Sequence, residues 1–455
     1  MISRRSLLAT SFAFAAGPLL RAAAAPLPRE VDVVVIGAGA AGIAAARRIM
    51  AAQRSVLLVE AAGRVGGRCE SDPTTFGTAV DRGASRLYNP DSNAVVKVAR
   101  SVGADFQAVP SGQKLRIGRR NARAGEAEDF LVTLVRAHRA IAEAARGRTD
   151  VSCAAALPKD LGDWESTVAF VLGASATGAD LGALSAIDRA RLQERSSAIG
   201  SRQGLGQLLV QLGSDIPTAL GTPATRIFWG GRDVAVETPA GRIAARAAIV
   251  TVSSNVLAEK AIQFSPEMPK QQLDAAAGLR LGSYDRIILQ LPGNPLGLGR
   301  DESLIERSAG THTALLTANV GGSPLCTVDV AGGFGRDLSA QGEAAMIAFA
   351  REWLSGLFGS EALANLGHAT ATRWNDEPYV RGAMSAARPG AQAARRILAE
   401  PFGNIFIAGE ATHETLYGTV DGAWESGERA AAAALGRLAP AKPTAKKKPG
   451  RKRKS

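Results

Sequence analysis

A short apolar strand that runs directly into a glycine turn constrains the fold of this chain more than any other stretch. Val31–Ile36 is rich in β-branched residues, as expected of a strand buried on both faces. The turn Gly37–Gly42 follows, and an alanine-rich stretch, predicted to be helical, continues to about Arg54. A second apolar run ends in Glu60, eighteen residues after Gly42. Strand, turn, helix, strand and acid in this order predict a dinucleotide-binding βαβ unit.

Each part of this unit has a physical role in holding a dinucleotide. Gly37 permits the tight turn, Gly39 lets the backbone approach a pyrophosphate, and Gly42 lets the helix pack closely on the strand. Ala41 belongs to the start of the helix, whose free N–H groups and positive dipole end attract phosphates. Glu60 stands where a carboxylate accepts hydrogen bonds from the adenosine ribose. An ordinary glycine-rich turn is the alternative, and the spacing of the elements argues against it.

The residues after Glu60 distinguish FAD from NAD. The run Arg64-Val65-Gly66-Gly67-Arg68 resembles the second glycine motif of the flavin amine oxidase superfamily, in which two glycines and an arginine meet the pyrophosphate and the flavin. The resemblance makes Arg64, Gly67 and Arg68 candidate FAD ligands. Arg68 also supplies a fixed cation whose fork suits oxyanions. A charged surface loop is the alternative interpretation.

Further segments extend this resemblance over nearly all of residues 31–437. The segment from Asp81 to Ser85 is similar to the family's stretch along the flavin, which makes Gly83, Ala84 and Ser85 candidate ligands. Arg86 stands where the family often has tryptophan, and we expect it near the pyrimidine end of the ring. Ala224 matches a small apolar residue whose backbone contacts the adenine end.

The C-terminal part carries the most specific resemblance after the N-terminal unit. It implies that Gly409 and Glu410 follow a strand and that the Glu410 carboxylate meets a ribityl or phosphate-side hydroxyl. A helix is predicted to begin near Gly422, with its N-terminus directed at flavin N1 and O2, where negative charge develops on reduction. Thr419, Val420 and Ala423 are then expected beside the ring.

Four residues are the candidates for the catalytic face: Arg286, Trp374, Met384 and Thr419. Arg286 occupies the position at which many flavin amine oxidases carry a lysine that holds a water against flavin N5. Arginine preserves the charge but cannot be deprotonated, which leaves the reactivity with oxygen open. A plain strand-surface arginine is the alternative. Trp374 is expected to stack by the flavin.

The other two candidates replace an aromatic pair. Met384 and Thr419 stand where monoamine oxidases carry the two tyrosines of the substrate cage, and threonine at the second position is also found in lysine-specific histone demethylases. Ala383 stands where covalently flavinylated monoamine oxidases carry cysteine. The resemblance therefore implies non-covalent FAD and a cage without aromatic residues.

The net charge of +12 is concentrated at the two ends of the chain. Eight cations lie in the last fourteen residues and three more are Arg4, Arg5 and Arg21, so that twelve minus eleven leaves about +1 for residues 26–440. The tail is expected to be disordered and to make at most unspecific contact with nucleic acid, anionic lipid or other polyanions. A merely solvated tail is equally consistent with its composition.

The N-terminus resembles an export signal. Arg4-Arg5 precedes an apolar stretch and small residues suited to cleavage, which is typical of a twin-arginine signal and of a periplasmic or secreted protein. A plain secretory signal or an uncleaved membrane anchor is the alternative. Cys69, Cys153 and Cys326 are too few and too far apart for a disulfide framework or a metal site, and no metal is expected.

We predict an α/β protein with a discontinuous Rossmann-like FAD-binding domain and a second, α+β substrate domain that includes a helical insertion. The expected boundaries are 1–25 for the signal peptide, 26–90, 201–290 and 386–440 for the FAD-binding domain, 91–200 for the helical insertion, 291–385 for the rest of the substrate domain, and 441–455 for the tail. His138, in the insertion, is interpreted as a helix-surface residue.

The resemblance implies an FAD-dependent amine oxidoreductase. Hydride would pass from the amine carbon to flavin N5, giving an imine. Oxygen or another electron acceptor would then reoxidise the flavin, and oxygen would be reduced to hydrogen peroxide. The substrate could be a monoamine, a polyamine or an amino acid, and the oligomeric state is open. One alternative is an FAD-dependent desaturase-like oxidoreductase that acts on C–C bonds of an apolar substrate. Another is a catalytically weak flavoprotein that acts through its basic tail.

Overall fold

The computed structural model describes residues 27–195 and 197–438. The predicted signal peptide (1–25) and the predicted basic tail (441–455) lie outside the described residues, so both stay predictions. Within the described ranges, no helix combines the length and the apolarity needed to cross a bilayer.

Strands and helices are interspersed along the described part of the chain. The strands are β1 Glu30–Ile36, β2 Val56–Val59, β3 Ser71–Asp72, β4 Val80–Asp81, β5 Leu87–Tyr88, β6 Phe106–Ala108, β7 Lys114–Ile117, β8 Arg120–Asn121, β9 Ala198–Ser201, β10 Thr218–Ala219, β11 Arg226–Phe228, β12 Val234–Thr238, β13 Gly241–Val250, β14 Gln263–Ser265, β15 Leu279–Leu281, β16 Tyr284–Gln290, β17 Glu302–Glu306, β18 Leu315–Ala318, β19 Leu325–Ala331, β20 Ala369–Ala371, β21 Ser385–Ala387 and β22 Ile405–Ile407. The α-helices are α1 Ala40–Ala51, α2 Ala94–Ser101, α3 Ala124–Ala144, α4 Cys153–Ala156, α5 Glu165–Leu172, α6 Ala174–Thr177, α7 Ala186–Arg191, α8 Leu205–Leu212, α9 Ser254–Ala258, α10 Lys270–Gly278, α11 Gly332–Ala340, α12 Glu343–Phe358, α13 Ala394–Ala399 and α14 Val420–Leu438.

The first sheet contains the predicted βαβ unit. Its strand order is β10-β2-β1-β13-β12-β11-β14, and β22 also pairs with β13. β1 is parallel to both neighbours, with Val33 opposite Val56 on one side and Ala247 on the other. Val33 and Val35 enter one hydrophobic core while Val34 and Ile36 enter another, so β1 is buried on both faces, as its composition predicts.

The second sheet has the strand order β20-β16-β19-β18-β17-β7-β8 and is antiparallel except where β17 meets β7. Its core is completed by α11 and α12, which contribute Leu338, Met346 and Leu354. A separate cluster around α3, α5 and α7 includes Phe130, Trp164 and Val168. This helical layer packs beside the second sheet through Ile305.

The observed elements differ from the predicted segments in two places. The stretch 91–200 is only partly helical, because β7 and β8 extend the second sheet and α2 packs in the core of the first sheet through Val95 and Val96. β16, expected in the FAD-binding part 201–290, lies in the second sheet, where Ile287 and Leu289 join that core. The helix predicted to begin near Gly422 is α14, which begins at Val420. Short strands and alanine-rich segments carry too little periodicity to reveal their tertiary partners.

Candidate active site

One cavity of about 740 Å³ lies beside the first sheet and reaches the second. It is lined by residues at or directly after the carboxyl ends of β1, β2, β13 and β22, including Ile36, Glu60, Thr251 and Gly409. Ligands of open parallel sheets bind at this edge, and the volume is in the range of cofactor and ligand sites, about 300–1,000 Å³.

The structure brings almost all predicted site residues to this cavity, although they span nearly the whole chain. Those that line it are Gly37, Gly39, Ala41, Glu60, Arg64, Gly67, Arg68, Gly83, Ala84, Ser85, Arg86, Ala224, Arg286, Trp374, Met384, Gly409, Glu410, Thr419, Val420 and Ala423. Gly42 lies behind the lining, where a Cβ atom would be 1.9 Å from the Gly37 carbonyl oxygen. This contact matches the close packing expected of Gly42.

The dinucleotide end of the cavity is built from two glycine turns that touch. Gly37 has a φ of +105°, and a Cβ atom there would lie 2.6 Å from Thr251 Oγ1. The Gly66 N–H donates to the Ala38 carbonyl at 2.9 Å, which joins the second turn to the first. The start of α1 faces the same space through Ala40 and Ala41. Two glycine turns that leave the backbone uncovered, beside the N-terminus of α1, fit the pyrophosphate of FAD.

Glu60 holds the backbone around this end. Its Oε2 accepts a hydrogen bond from the Ala38 N–H at 2.6 Å, and its Oε1 accepts one from the Ala62 N–H at 2.8 Å. Each carboxylate oxygen keeps a further lone pair. The expected contact of Glu60 with ribose hydroxyls is therefore compatible with its hydrogen bonds and stays a prediction.

Arg68 and Glu410 contact each other across the cavity. Arg68 Nη1 lies 2.8 Å from Glu410 Oε1 and also donates to the Ala383 carbonyl. Glu410 further accepts from the Ser385 N–H and hydroxyl and from the Gly418 N–H. Burial opposes ionisation, but Arg68 and Arg395 hold the pKa of Glu410 below its ordinary value. From the motifs we expected Arg68 to contact a phosphate and Glu410 to contact a hydroxyl. The motifs did not indicate that the charges of these two side chains neutralise each other.

Arg395 is a buried residue of this network that sequence reasoning missed. It is 1% exposed and pairs with Asp188 through Nε and Nη2, each at 2.8 Å. Its Nη1 donates to Ser385 Oγ at 2.8 Å, and its guanidinium lies 3.5 Å from the centre of the Tyr417 ring. The sequence around it resembles an ordinary helix surface, and no local signal marks it as buried.

Arg286 clamps the flavin-side segment to the second sheet. Its guanidinium makes two bonds to Asp329, Nε to Oδ1 at 2.8 Å and Nη2 to Oδ2 at 3.0 Å, and Nη1 donates to the carbonyls of Asp81 and Gly83. Burial disfavours the cation, but Asp329 raises the pKa of Arg286 above its ordinary value. With its side chain 13% exposed, Arg286 is not a plain surface arginine.

Trp374 packs against the same segment. Its indole N–H donates to the Arg82 carbonyl at 3.3 Å, and a Cβ atom on Gly83 would lie 3.0 Å from its ring. The Trp374 backbone N–H donates to Asp285 Oδ1 at 2.8 Å. Asp285 is fully buried, and burial raises its pKa to about 6. Trp374 is thus fixed as a wall of the cavity by the residues beneath it.

Thr419 lines the cavity and also caps a helix, so its expected place in the substrate cage stays a prediction. Its Oγ1 accepts from the Gly422 N–H at 3.0 Å and donates to the Leu416 carbonyl at 2.6 Å. This is the geometry of an N-cap residue for α14. Because the hydroxyl is occupied in this way, Thr419 lines the cavity with the remainder of its side chain.

The space of the missing aromatic cage is bordered by Met384 and Arg195. A Cβ atom on Gly418 would lie 3.6 Å from Met384 Sδ and 3.7 Å from Arg195 Nη2. Arg195 was not among the predicted residues because it lies in the stretch 91–200, which carries no motif. From the lining of the whole cavity we select the residues of the second sheet and the helical layer, together with their neighbours, and call this group the inner chamber; it consists of Arg86, Tyr88, Val171, Ser175, Ala176, Arg195, Tyr284, Arg286, Leu315, Asp329 and Met384.

Comparisons with solved structures show the fold. Cyclohexylamine oxidase from Brevibacterium oxydans superposes with a TM-score of 0.77 at 20% identity, and covers 90% of this chain and 99% of its own. Putrescine oxidase bound to putrescine gives 0.76 at 17% identity, with the same coverage. The mixed α/β architecture of the amine oxidases, expected from the motifs, is thereby confirmed.

Curated sequences that resemble this chain include demethylases and a polyamine oxidase. A lysine-specific histone demethylase homologue of Oryza sativa is 27% identical over 438 residues, which are 89% of this chain and 54% of that protein. A probable polyamine oxidase of Arabidopsis thaliana is 24% identical over 434 residues, 88% of this chain and 86% of that protein. The chain spans about half the length of the demethylases it matches. Because the family model of flavin-containing amine oxidoreductases matches residues 40–435, this chain belongs to that family.

Proposed function

We propose that this protein binds FAD non-covalently and oxidises a small amine, releasing an imine that water hydrolyses. The observation that carries the proposal is a single cavity whose lining includes both the two glycine turns and the residues of the inner chamber. FAD would supply the two-electron acceptor at the junction of the two ends. Oxygen, or another acceptor, would then take the electrons, with hydrogen peroxide as the product in the case of oxygen.

Non-covalent binding is supported by the chemistry of the thiols. Ala383 lines the cavity. It stands at the position that, by the resemblance, holds a cysteine in monoamine oxidases whose flavin is covalently attached. Cys69 is the cysteine that lines it, and burial raises its pKa to about 12. A thiol protonated at neutral pH is a poor nucleophile, so Cys69 is unsuited to attack a bound ring.

The chain's own residues supply positioning and electrostatics rather than an acid–base pair. Trp374 and the clamped segment 81–85 hold one face of the cavity in place. The inner chamber contains three cations, Arg86, Arg195 and Arg286, against one carboxylate, Asp329. Such surroundings disfavour a bound ammonium ion and favour a neutral amine, the form from which a hydride leaves most readily.

The test is anaerobic mixing of the purified yellow protein with amines, polyamines and amino acids while the visible flavin absorbance is followed. Bleaching by one of these classes, followed by recolouring and peroxide formation in air, supports an amine oxidase. A flavoprotein that none of them reduces would support the desaturase-like alternative, which the three arginines of the chamber make less favourable. A colourless protein would support the alternative in which the protein acts through its basic C-terminal tail.

We further propose that the chain is exported by a twin-arginine route to the periplasm or beyond. The paired Arg4-Arg5 supports this route, and a protein that folds around FAD before export suits a pathway for folded proteins. Replacing both arginines with lysine should retain the precursor in the cytoplasm, as measured by cell fractionation. Unchanged export of that variant would favour the plain secretory signal instead.

A further inference from the structure

Arg195 contributes a guanidinium to the lining of the inner chamber. Its Nη2 donates to the Tyr417 carbonyl at 3.2 Å, and its guanidinium lies 4.9 Å from the centre of the Tyr88 ring. Its Nε has no hydrogen-bond partner among the described residues, but that atom is covered by the protein, so a ligand in the cavity would bind the accessible part of the guanidinium. A cation that faces a ligand cavity and is held only by a carbonyl and a ring can form a charge-assisted bond to a ligand.

Within the described part of the chain, no protein carboxylate pairs with this arginine. Among residues 27–195 and 197–438, Arg195 forms no ion pair, whereas Arg286 is paired with Asp329 and Arg68 with Glu410. Burial raises the pKa of Asp421, and Arg195 offsets part of that effect, but the two residues make no ion pair in those ranges. Arg86 likewise has no carboxylate partner among these residues and reaches Ser303 Oγ at 3.5 Å.

The charge of the inner chamber follows from this pairing. Its three arginines and one aspartate leave a net charge of +2, and the paired Arg286 and Asp329 cancel, so the excess rests on Arg195 and Arg86. A diamine or polyamine would place further cations in this field, which costs free energy. A substrate with a carboxylate would instead satisfy the free donors with charge-assisted bonds.

We propose that the substrate is an amino acid, whose carboxylate binds Arg195 beside Met384, in the space that aromatic residues occupy in the monoamine oxidases. This inference rests on the proposed function and specifies its substrate class. In the reaction, the C–H bond at the amine-bearing carbon breaks and its hydride passes to FAD, the oxidant. The nitrogen loses a proton to water as the C=N bond forms, and hydrolysis releases an oxo acid and ammonia.

The experiment compares each amino acid with the amine that lacks its carboxylate, using leucine, phenylalanine and ornithine on the anaerobic holoprotein. We expect the flavin to be half-reduced at a concentration at least about ten times lower for the amino acid than for its matched amine. Binding without turnover is measured by titrating the oxidised holoprotein with 3-phenylpropanoate and following the perturbation of the flavin spectrum. This probe keeps the carboxylate and lacks the amine.

The Arg195→Met variant should weaken 3-phenylpropanoate and the amino acid by about ten- to a hundredfold and should affect the matched amine at least about ten times less. Arg195→Lys should recover part of the loss. Arg191→Met is the control, because Arg191 lies four residues earlier, is exposed, and bonds the Gln392 carbonyl; it should bind every ligand as the wild type does.

Three results would decide against these proposals, and they are distinguishable. Reduction by amines but not by amino acids would overturn the carboxylate inference and leave the proposed function intact. An equal loss for amine and amino acid in Arg195→Met would assign Arg195 a structural role and also overturn the inference. Failure of both classes to reduce a yellow protein would overturn the proposed function itself.

Discussion

The buried pair of Arg286 and Asp329 offers the sharpest test of how the cavity is held together. Replacing Asp329 with asparagine leaves the Arg286 cation buried without a counter-charge, while its volume and one acceptor are retained. The two side chains are 13% and 3% exposed, so solvent cannot take over the lost interaction. Two charge-assisted bonds at about 1.5–3 kcal/mol each suggest a loss of roughly 3–6 kcal/mol, which agrees with the roughly 3–5 kcal/mol expected for breaking a buried pair.

The assay is the free energy of unfolding from urea titrations followed by circular dichroism. The Arg286→Met variant and the double variant, which carries both substitutions, complete a double-mutant cycle. We expect the double variant to lose about 2 kcal/mol less free energy of unfolding than the sum of the two single losses. Glu143→Gln is the matched control, because the Glu143–Arg146 pair has a similar distance, 3.0 Å, but side chains 71% and 78% exposed. That control should cost less than about 1 kcal/mol.

The clamp also predicts a loss of flavin. Because Arg286 holds the carbonyls of Asp81 and Gly83, its displacement in Asp329→Asn should raise the dissociation constant of FAD along with destabilising the fold. An Asp329→Asn protein that unfolds like the Glu143→Gln control would refute the clamp, and so would single losses that simply add. If Asp329→Asn does not fold, the double variant decides, because it carries no unpaired buried charge.

Three further predictions concern single positions. Thr419→Ala should lower the free energy of unfolding by about 0.5–2 kcal/mol through loss of the α14 cap, whereas Thr419→Ser should retain it; equal urea midpoints for the two would contradict the cap. Gly42→Ala should abolish the visible flavin absorbance of the purified protein, because its Cβ would lie 1.9 Å from a carbonyl oxygen, whereas Gly63→Ala, which meets nothing within 4 Å, should stay yellow. Asp285 has its pKa raised from 3.8 to about 6 in the folded protein, so its contribution to stability is present below about pH 4 and is lost as the pH rises through about 6. Asp285→Asn should therefore reduce the change in the free energy of unfolding between pH 4 and 7 by about 2 kcal/mol relative to the wild type. An unchanged pH profile would speak against a buried carboxyl with a raised pKa.

The dinucleotide end was predictable from the sequence because its physics is local. A turn with positive φ, a helix start and a strand buried on both faces each need particular residues within a few positions, and Val31 to Glu60 carries all of them in order. The same holds for the resemblance of residues 404–423, where a strand, a glycine turn and a helix follow one another. Local backbone requirements leave a pattern in the sequence that can be interpreted without a partner.

The inner chamber required the tertiary structure because its interactions join residues far apart in the chain. Arg68 meets Glu410 across 342 positions, and Arg395 meets Asp188 across 207. Whether an arginine is exposed, paired or left with a free donor depends on which distant carboxylate the fold brings within hydrogen-bond reach. The sequence by itself determined the βαβ unit with its glycine turn, and with it the prediction of a dinucleotide site at the edge of the parallel strands. Only the tertiary structure decided that Arg286 is a clamp, that Thr419 is a cap, and that Arg195 faces the substrate space without a counter-ion among the described residues, because long-range charge pairing leaves no local pattern.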